Sequence, residues 1–197
     1  SLYLQGYGIA KDEDKAMALF KECAEGIRKL AEQNDAQAQV FLGVMYYYGQ
    51  GVEQDFKEAL KWYQKAADQG FANAQYSLGL MYANGKGVEQ DFKEAFKWYQ
   101  KAADQGDARA QFTLGSMYDF GKGVLEDDKK AVKWYHKAAD QGNVNAQYTL
   151  GAMYANGQGV EQDFKEAVKW WRKAADQGYA SAQYNLGFMY ANGQGVE

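Results

Sequence analysis

The sequence predicts an all-α chain of repeated antiparallel helix pairs, and three observations carry that prediction. Ala38-Gln39 returns as Ala74-Gln75, Ala110-Gln111, Ala146-Gln147 and Ala182-Gln183, a step of 36 residues each time. Each step holds two apolar stripes at helical spacing, enough for two helices of about twelve residues and two turns, the unit of an α-solenoid. The stretch MYANGKGVEQD at 81–91 recurs as MYANGQGVEQD at 153–163, has looser versions at 45–55 and 117–127, and begins again at 189. With 22 Gly and no Pro in 197 residues, the turns fall to glycine, asparagine and aspartate. One repeat domain over 1–197 follows: a divergent part-repeat at 1–35, repeats at about 36–71, 72–107, 108–143 and 144–179, and a half-repeat at 180–197.

The amino-terminal part departs from the pattern. Matching Gly6-x-Gly8 to Gly49-x-Gly51 places Asp12, Ala16, Leu19 and Phe20 on the columns of a second helix, but the next Ala-Gln arrives seven residues late. Seven residues is close to two helical turns, so one long helix from about 12 to 33 keeps its apolar face, with Gly26 a weak spot inside it. Cys23 falls in the column of Ala66, Ala102, Ala138 and Ala174 and is expected to be a small core residue.

The repeat beginning at 72 shows the design. A first helix over 72–84 sets Ala74, Leu78, Met81 and Tyr82 on one face, and Asn84-Gly85 stops it. Asp91 with Glu94 has the spacing of a capping box, as do Asp55 with Glu58 and Asp163 with Glu166; at Asp127 the glutamate is replaced by Lys130. A second helix over 91–104 aligns Ala95, Trp98, Tyr99 and Ala102, and Gly106 closes it. Gly43, Gly79, Gly115, Gly151 and Gly187 sit inside the first helices, where glycine costs about 1 kcal/mol against alanine. Their common register predicts close approach of the paired helices, with Trp and Tyr rings around the contact.

Composition excludes several function classes. Formal net charge is −4, the sequence pI is near 5.2, and the charges are mixed in sign, so there is no basic stripe for nucleic acid or an anionic membrane. No apolar run approaches the roughly 18 residues of a spanning helix, which argues against membrane insertion. A single cysteine excludes an intrachain disulfide. The chain starts at Ser1 within a repeat, which reads as a shortened N-terminus; any signal peptide would lie upstream.

The patterns A-Q-x-x-L-G-x-M-Y, G-x-G-V-x-x-D and A-x-x-W-Y-x-K-A-A-x-Q-G resemble the Sel-one-like repeat (SLR) family, relatives of the tetratricopeptide repeat. The resemblance covers nearly the whole chain and implies a right-handed superhelix of helix pairs with a concave inner surface. It also implies an adaptor that binds protein or peptide partners, without cofactor, and favours a bacterial periplasmic or secreted place over the cytoplasm. Cysteine-rich members carry a disulfide in each repeat; this chain lacks those pairs.

Columns identical in every repeat build the scaffold, and variable ones are free for other work. Facing away from the Leu78 stripe is a column reading Val40, Tyr76, Phe112, Tyr148 and Tyr184, and another reading Val44, Leu80, Ser116, Ala152 and Phe188. Tyr47-Tyr48 and Asp119-Phe120 replace the usual Ala-Asn, whose asparagines include Asn84 and Asn156. By analogy with the tetratricopeptide fold, this face lines a groove for a partner segment. For the Tyr76 column, contact between neighbouring repeats is an equal alternative; Tyr47, Tyr48 and Phe120 point to groove contact. Arg109 and Asp119 are the only charges there, so a strongly charged ligand is not expected. Lys57, Lys61 and Lys65 read as a solvated face.

Chemistry finds little support. His136, the sole histidine, occupies the exposed column of Gln64, Gln100 and Arg172 and lacks a second histidine to share a metal. GKG and GQG follow helices and are turn glycines rather than a phosphate cradle. A hydrolase reading, suggested by cysteine-rich relatives described as β-lactamases, lacks the S-x-x-K signature. The expectation is a non-catalytic scaffold, with end-to-end self-association through unpaired terminal repeats as a second reading.

Overall fold

The computed structural model describes residues 12–195; the Gly6-x-Gly8 match lies outside them. Ten helices follow one another among the described residues, with no strand: α1 (Glu13–Glu32), α2 (Ala36–Tyr48), α3 (Phe56–Asp68), α4 (Ala72–Asn84), α5 (Phe92–Asp104), α6 (Ala108–Asp119), α7 (Asp128–Asp140), α8 (Val144–Asn156), α9 (Phe164–Asp176) and α10 (Ala180–Asn192). They fall into two compact units, Ser1–Asp91 with α1 to α4 and Phe92–Glu197 with α5 to α10. Within each, chain neighbours pack on one another, giving the consecutive helix pairs of an all-α solenoid.

The recurring VEQD is a two-way cap. Gln54 Nε2 donates to Tyr47 O at 2.8 Å, and Gln90 and Gln162 donate to Ala83 O and Ala155 O at 2.7 Å, satisfying a carbonyl at the end of each first helix. The aspartate opens the second helix: Asp55 Oδ1 accepts from the N–H of Lys57 and Glu58, as Asp163 Oδ1 does from Lys165 and Glu166. The reciprocal half of the capping box does not form at Asp55 or Asp163. Their own N–H groups donate instead to Tyr46 O and Tyr154 O in the preceding helix, leaving Glu58 and Glu166 to pair with Lys61 and Lys169. The cap therefore stitches the two helices of a repeat together as well as starting the second.

The glycine column behaves as its register demands. A Cβ at Gly43 would stand 2.7 Å from the Tyr63 ring, one at Gly115 would stand 2.5 Å from Tyr135, and one at Gly151 would collide with Trp171. Around these contacts Leu42, Leu78, Leu114 and Leu150 are fully buried. At Gly187 an added Cβ meets nothing within 4 Å. In the loops, Gly51 and Gly87 take φ near +70° with no room for a side chain, packed against the carbonyls of Phe20 and Phe56.

Those last contacts correct the reading of α1. Phe20 lies 36 residues before Phe56 and plays its part, its carbonyl packing on Gly51 as that of Phe56 packs on Gly87. Ala16, Ala24 and Ala31 are buried, whereas Leu19 is 47% exposed and Cys23 is exposed rather than a core residue.

The glycine contacts make a paired prediction. Gly151→Ala should lower stability by about 1–3 kcal/mol through overpacking against Trp171, while Gly187→Ala, free of any neighbour, should raise it by up to about 1 kcal/mol. Urea unfolding midpoints of the two variants against the parent chain check the opposite signs.

Candidate functional site

The first helices α2, α4, α6 and α8 each bury a stripe of Ala, Leu and Met, α10 buries Ala182 and Met189, and all turn the variable columns away from that side. In the first compact unit, Tyr48 is 64% exposed and stands edge-on to Tyr47, with centroids 4.9 Å apart; Tyr47 in turn meets Phe56 at 5.2 Å. Leu80 and Asn84 are exposed, Val44 and Tyr76 half-buried. In the second unit, Phe120 is 65% exposed. It is the C-cap of α6 at φ −110°, and the positive φ moves one residue on to Gly121, so the ring projects from the helix end.

The Tyr76 column mostly serves packing between helices. Val40 is buried, a correction to its place among the groove residues. Phe112 stacks against Tyr135 with centroids 5.5 Å apart, and Tyr148 against Tyr179 at 5.1 Å. Tyr184 on α10 stays exposed, as does Phe188, while Ser116 is half-buried and Asn156 exposed.

Of the two charges of this face, Arg109 is paired with a neighbouring carboxylate and Asp119 is hydrogen-bonded. Arg109 Nη2 lies 2.5 Å from Asp107 Oδ2. Asp119 Oδ2 accepts from the Tyr135 hydroxyl at 3.2 Å and its Oδ1 accepts from Gln158 Nε2 at 2.9 Å. Burial, with nearby Asp128, holds the Asp119 carboxyl above the usual carboxylate range against those two hydrogen bonds, and burial beside Asp119 pushes the Tyr135 hydroxyl up as well.

The opposite flank is more structured than a plain solvated face. Lys65, Lys101, Lys137 and Lys173 each set an ammonium about 4 Å above the ring of Trp62, Trp98, Trp134 and Trp170, one turn earlier. His136 is half-buried rather than exposed. Its Nε2 lies 3.0 Å from the Tyr154 hydroxyl, and its ring is edge-on to Trp170 at 5.3 Å. Tyr190 takes the same role for Arg172, and Tyr46 for Arg28, so this column joins successive helix pairs. Among the described residues, no group of three or more His, Cys, Asp or Glu side chains could hold a metal ion, and no helix is long and apolar enough to cross a membrane.

The Sel1 repeat model matches residues 1–26, 36–71, 72–107, 108–143, 144–179 and 180–197. The chain belongs to the Sel1 repeat family. Among solved structures it is similar to a protective antigen of uropathogenic Escherichia coli with an SLR fold, at 37% identity and TM-score 0.87, covering 98% of this chain and 40% of that one. It therefore spans two fifths of the antigen's length. A Sel1 repeat protein from Oxalobacter formigenes is 37% identical with TM-score 0.84, over 90% of this chain and 74% of that one. Cysteine rich protein B of Helicobacter pylori is more distant, at 27% identity and TM-score 0.54, over 68% of this chain and 96% of that one. No curated protein matched. Sel1 repeat proteins are generally protein-interaction scaffolds without catalytic activity.

Within this Sel1 repeat chain, the buried glutamines escaped the sequence reading. Gln39, Gln75, Gln111 and Gln147 lie on the packed face, where periodicity expects apolar residues. Their presence in every copy was the available signal.

His136 gives a pH prediction. Burial holds its imidazole below the ordinary 6.5, with Lys169 and Lys173 acting the same way and Asp140 and Glu166 opposing. The neutral ring is the form the fold prefers, so its contribution is complete above the ordinary value and is lost as pH falls through that value toward the lowered one. His136→Gln, matching Gln64 and Gln100, should show a smaller fall in Tm between about pH 7.5 and 5.5 than the parent chain.

Proposed function

We propose that the chain is a non-catalytic scaffold that binds a protein or peptide through the variable face of its first helices. The observation that supports this best is the exposure of Tyr48 and Phe120, 64% and 65%, where the other repeats place Asn84 and Asn156. Large exposed rings at helix ends make anchor residues, since aromatic side chains dominate interface energetics. With Arg109 paired and the Asp119 carboxyl engaged by two hydrogen bonds, this face offers no cluster of free like charge, which favours an apolar or uncharged partner segment over a strongly charged one.

A double variant, Tyr48→Ala with Phe120→Ala, should weaken capture of the protein's co-purifying partner at least tenfold, as expected for two interface anchors. Tm should move by no more than about 3 °C, because neither ring is buried. Calorimetric titration beside a melting curve separates the two effects; a large fall in Tm would assign both rings to the scaffold instead.

Self-association is a second reading, favoured by one observation. The face of α10 beside Gly187 is bare, and Tyr184, Phe188 and Tyr190 are 77%, 58% and 52% exposed. Light scattering over a concentration series should show mass rising with concentration if that face pairs with a second copy, and a constant monomer mass if it does not.

A further inference from the structure

Three clefts between successive first helices are built on the same columns but filled in different ways. In the α2/α4 cleft, Tyr47 lies edge-on to Phe56, and Lys86 Nζ stands 4.9 Å from the Phe56 ring centre. Only about 90 Å³ remains open there, beside Tyr48, Tyr63, Ser77 and Leu80. In the α6/α8 cleft, Asp119 takes the Tyr47 column, Asp128 the Phe56 column and Gln158 the Lys86 column. Gln158 Nε2 donates to Asp119 Oδ1 at 2.9 Å and to Asp128 Oδ1 at 3.2 Å, latching the cleft with hydrogen bonds.

The α8/α10 cleft has neither device. Ala155 stands where Tyr47 and Asp119 stand, Phe164 keeps the ring of Phe56, and Gln194 takes the place of Lys86 and Gln158. A pocket of about 300 Å³ opens as a result, with Trp171, Phe164, Phe188 and Met189 forming its apolar wall. The Trp171 indole is fixed, its Nε1–H donating to Tyr148 O at 3.1 Å. No charged side chain lines the pocket, but three side-chain amides do: Asn156, Asn185 and Gln194. The equivalents of Asn156 are occupied, Asn84 Nδ2 donating to Leu80 O and Asn192 Nδ2 to Phe188 O, both at 2.8 Å. None of the three pocket amides has a hydrogen-bond partner among the described residues.

We propose that this pocket anchors an aromatic side chain from an extended peptide segment, its ring taking over Phe164 the place that Tyr47 takes over Phe56. The proposal rests on the scaffold reading and names the side chain that this part of the face selects. The chain itself supplies the template, because Tyr47 shows that a phenol ring fits the column at an edge-on distance of 5.2 Å. Free amides carry donor and acceptor together, as a peptide main chain requires, and the absence of charge disfavours an ionised side chain in an apolar wall.

N-acetyl-tyrosinamide and N-acetyl-phenylalaninamide, titrated into the isotope-labelled chain, test the assignment by NMR. Saturable shifts are expected at the Trp171 indole N–H and at the side-chain amides of Asn156, Asn185 and Gln194. N-acetyl-alaninamide and N-acetyl-glutamic acid amide should produce none. Ala155→Tyr, which would copy the Tyr47–Phe56 pair, should weaken the aromatic probes at least tenfold. Should that variant fail to fold, Gln194→Ala serves: it should weaken the capped amino acids severalfold and leave p-cresol, a ring without a main chain, unchanged. Absent or unsaturable shifts, equal response to the alanine probe, or full binding by folded Ala155→Tyr would overturn the proposal. Concentration-dependent self-association abolished by Ala155→Tyr would also overturn it, by placing a second copy in the pocket. Partner capture lost in the Tyr48/Phe120 double variant without probe binding would remove the pocket and keep the scaffold. Probe binding with undiminished partner capture in that variant would do the reverse.

Discussion

A glutamine sealed inside each repeat sets the phase on which the rest of the fold depends. Gln39 Nε2 donates to Ala31 O, Gln75 to Ala67 O, Gln111 to Ala103 O and Gln147 to Ala139 O, at 3.1 to 3.2 Å. Each acceptor is a carbonyl at the end of the second helix before it, which also receives the N–H of the residue three further on, Asn34, Gly70, Gly106 or Gly142. From the other side, Gln69, Gln141 and Gln177 donate to the Oε1 atoms of Gln39, Gln111 and Gln147, each at 2.8 Å. One side chain thus joins three helices. An amide left unsatisfied in such a place costs about 1–3 kcal/mol, so a slip of even one residue between pairs is disfavoured well beyond lost contact area. Hydrophobic burial brings the helices together without direction; the glutamine supplies the register.

Much of this was legible in the residues because repetition makes a sequence its own control. The helix over 72–84 lies where spacing placed it, and the glycines inside α2, α6 and α8 explain themselves through the rings of Tyr63, Tyr135 and Trp171. The errors have a common origin in reading one column at a time. At α1, matching columns placed Leu19 and Cys23 on the packed face, and both lie at the surface. At the caps, the spacing of Asp55 and Glu58 allowed a reciprocal box, but the carbonyl of Tyr46 was nearer to hand for the aspartate N–H. His136 looked exposed because its column reads Gln and Arg elsewhere; its shelter comes from Tyr154 and Trp170, two helices that the local pattern does not mention.

The variable face shows the same limit more sharply. Tyr48 and Phe120 stand out by breaking the Ala-Asn pattern. The open cleft between α8 and α10 does not, since Ala155-Asn156 is that pattern. Its character comes from Ala155 and Gln194 standing where Tyr47 and Lys86 stand, around a Phe164 ring that matches Phe56. Three separated positions, each unremarkable alone, decide whether a cleft is filled by its own side chains or left open.

The placing of the tryptophans has an optical consequence. Four of the five indoles sit beneath lysine ammonium groups on the outer flank of their repeats, and the fifth, Trp171, is held by a carbonyl at the wall of the α8/α10 cleft. Replacing the other four with phenylalanine leaves one indole whose emission colour and quenching, excited at wavelengths that tyrosine does not absorb, report the polarity of that cleft alone, so the molecule carries its own gauge of occupancy with no dye attached.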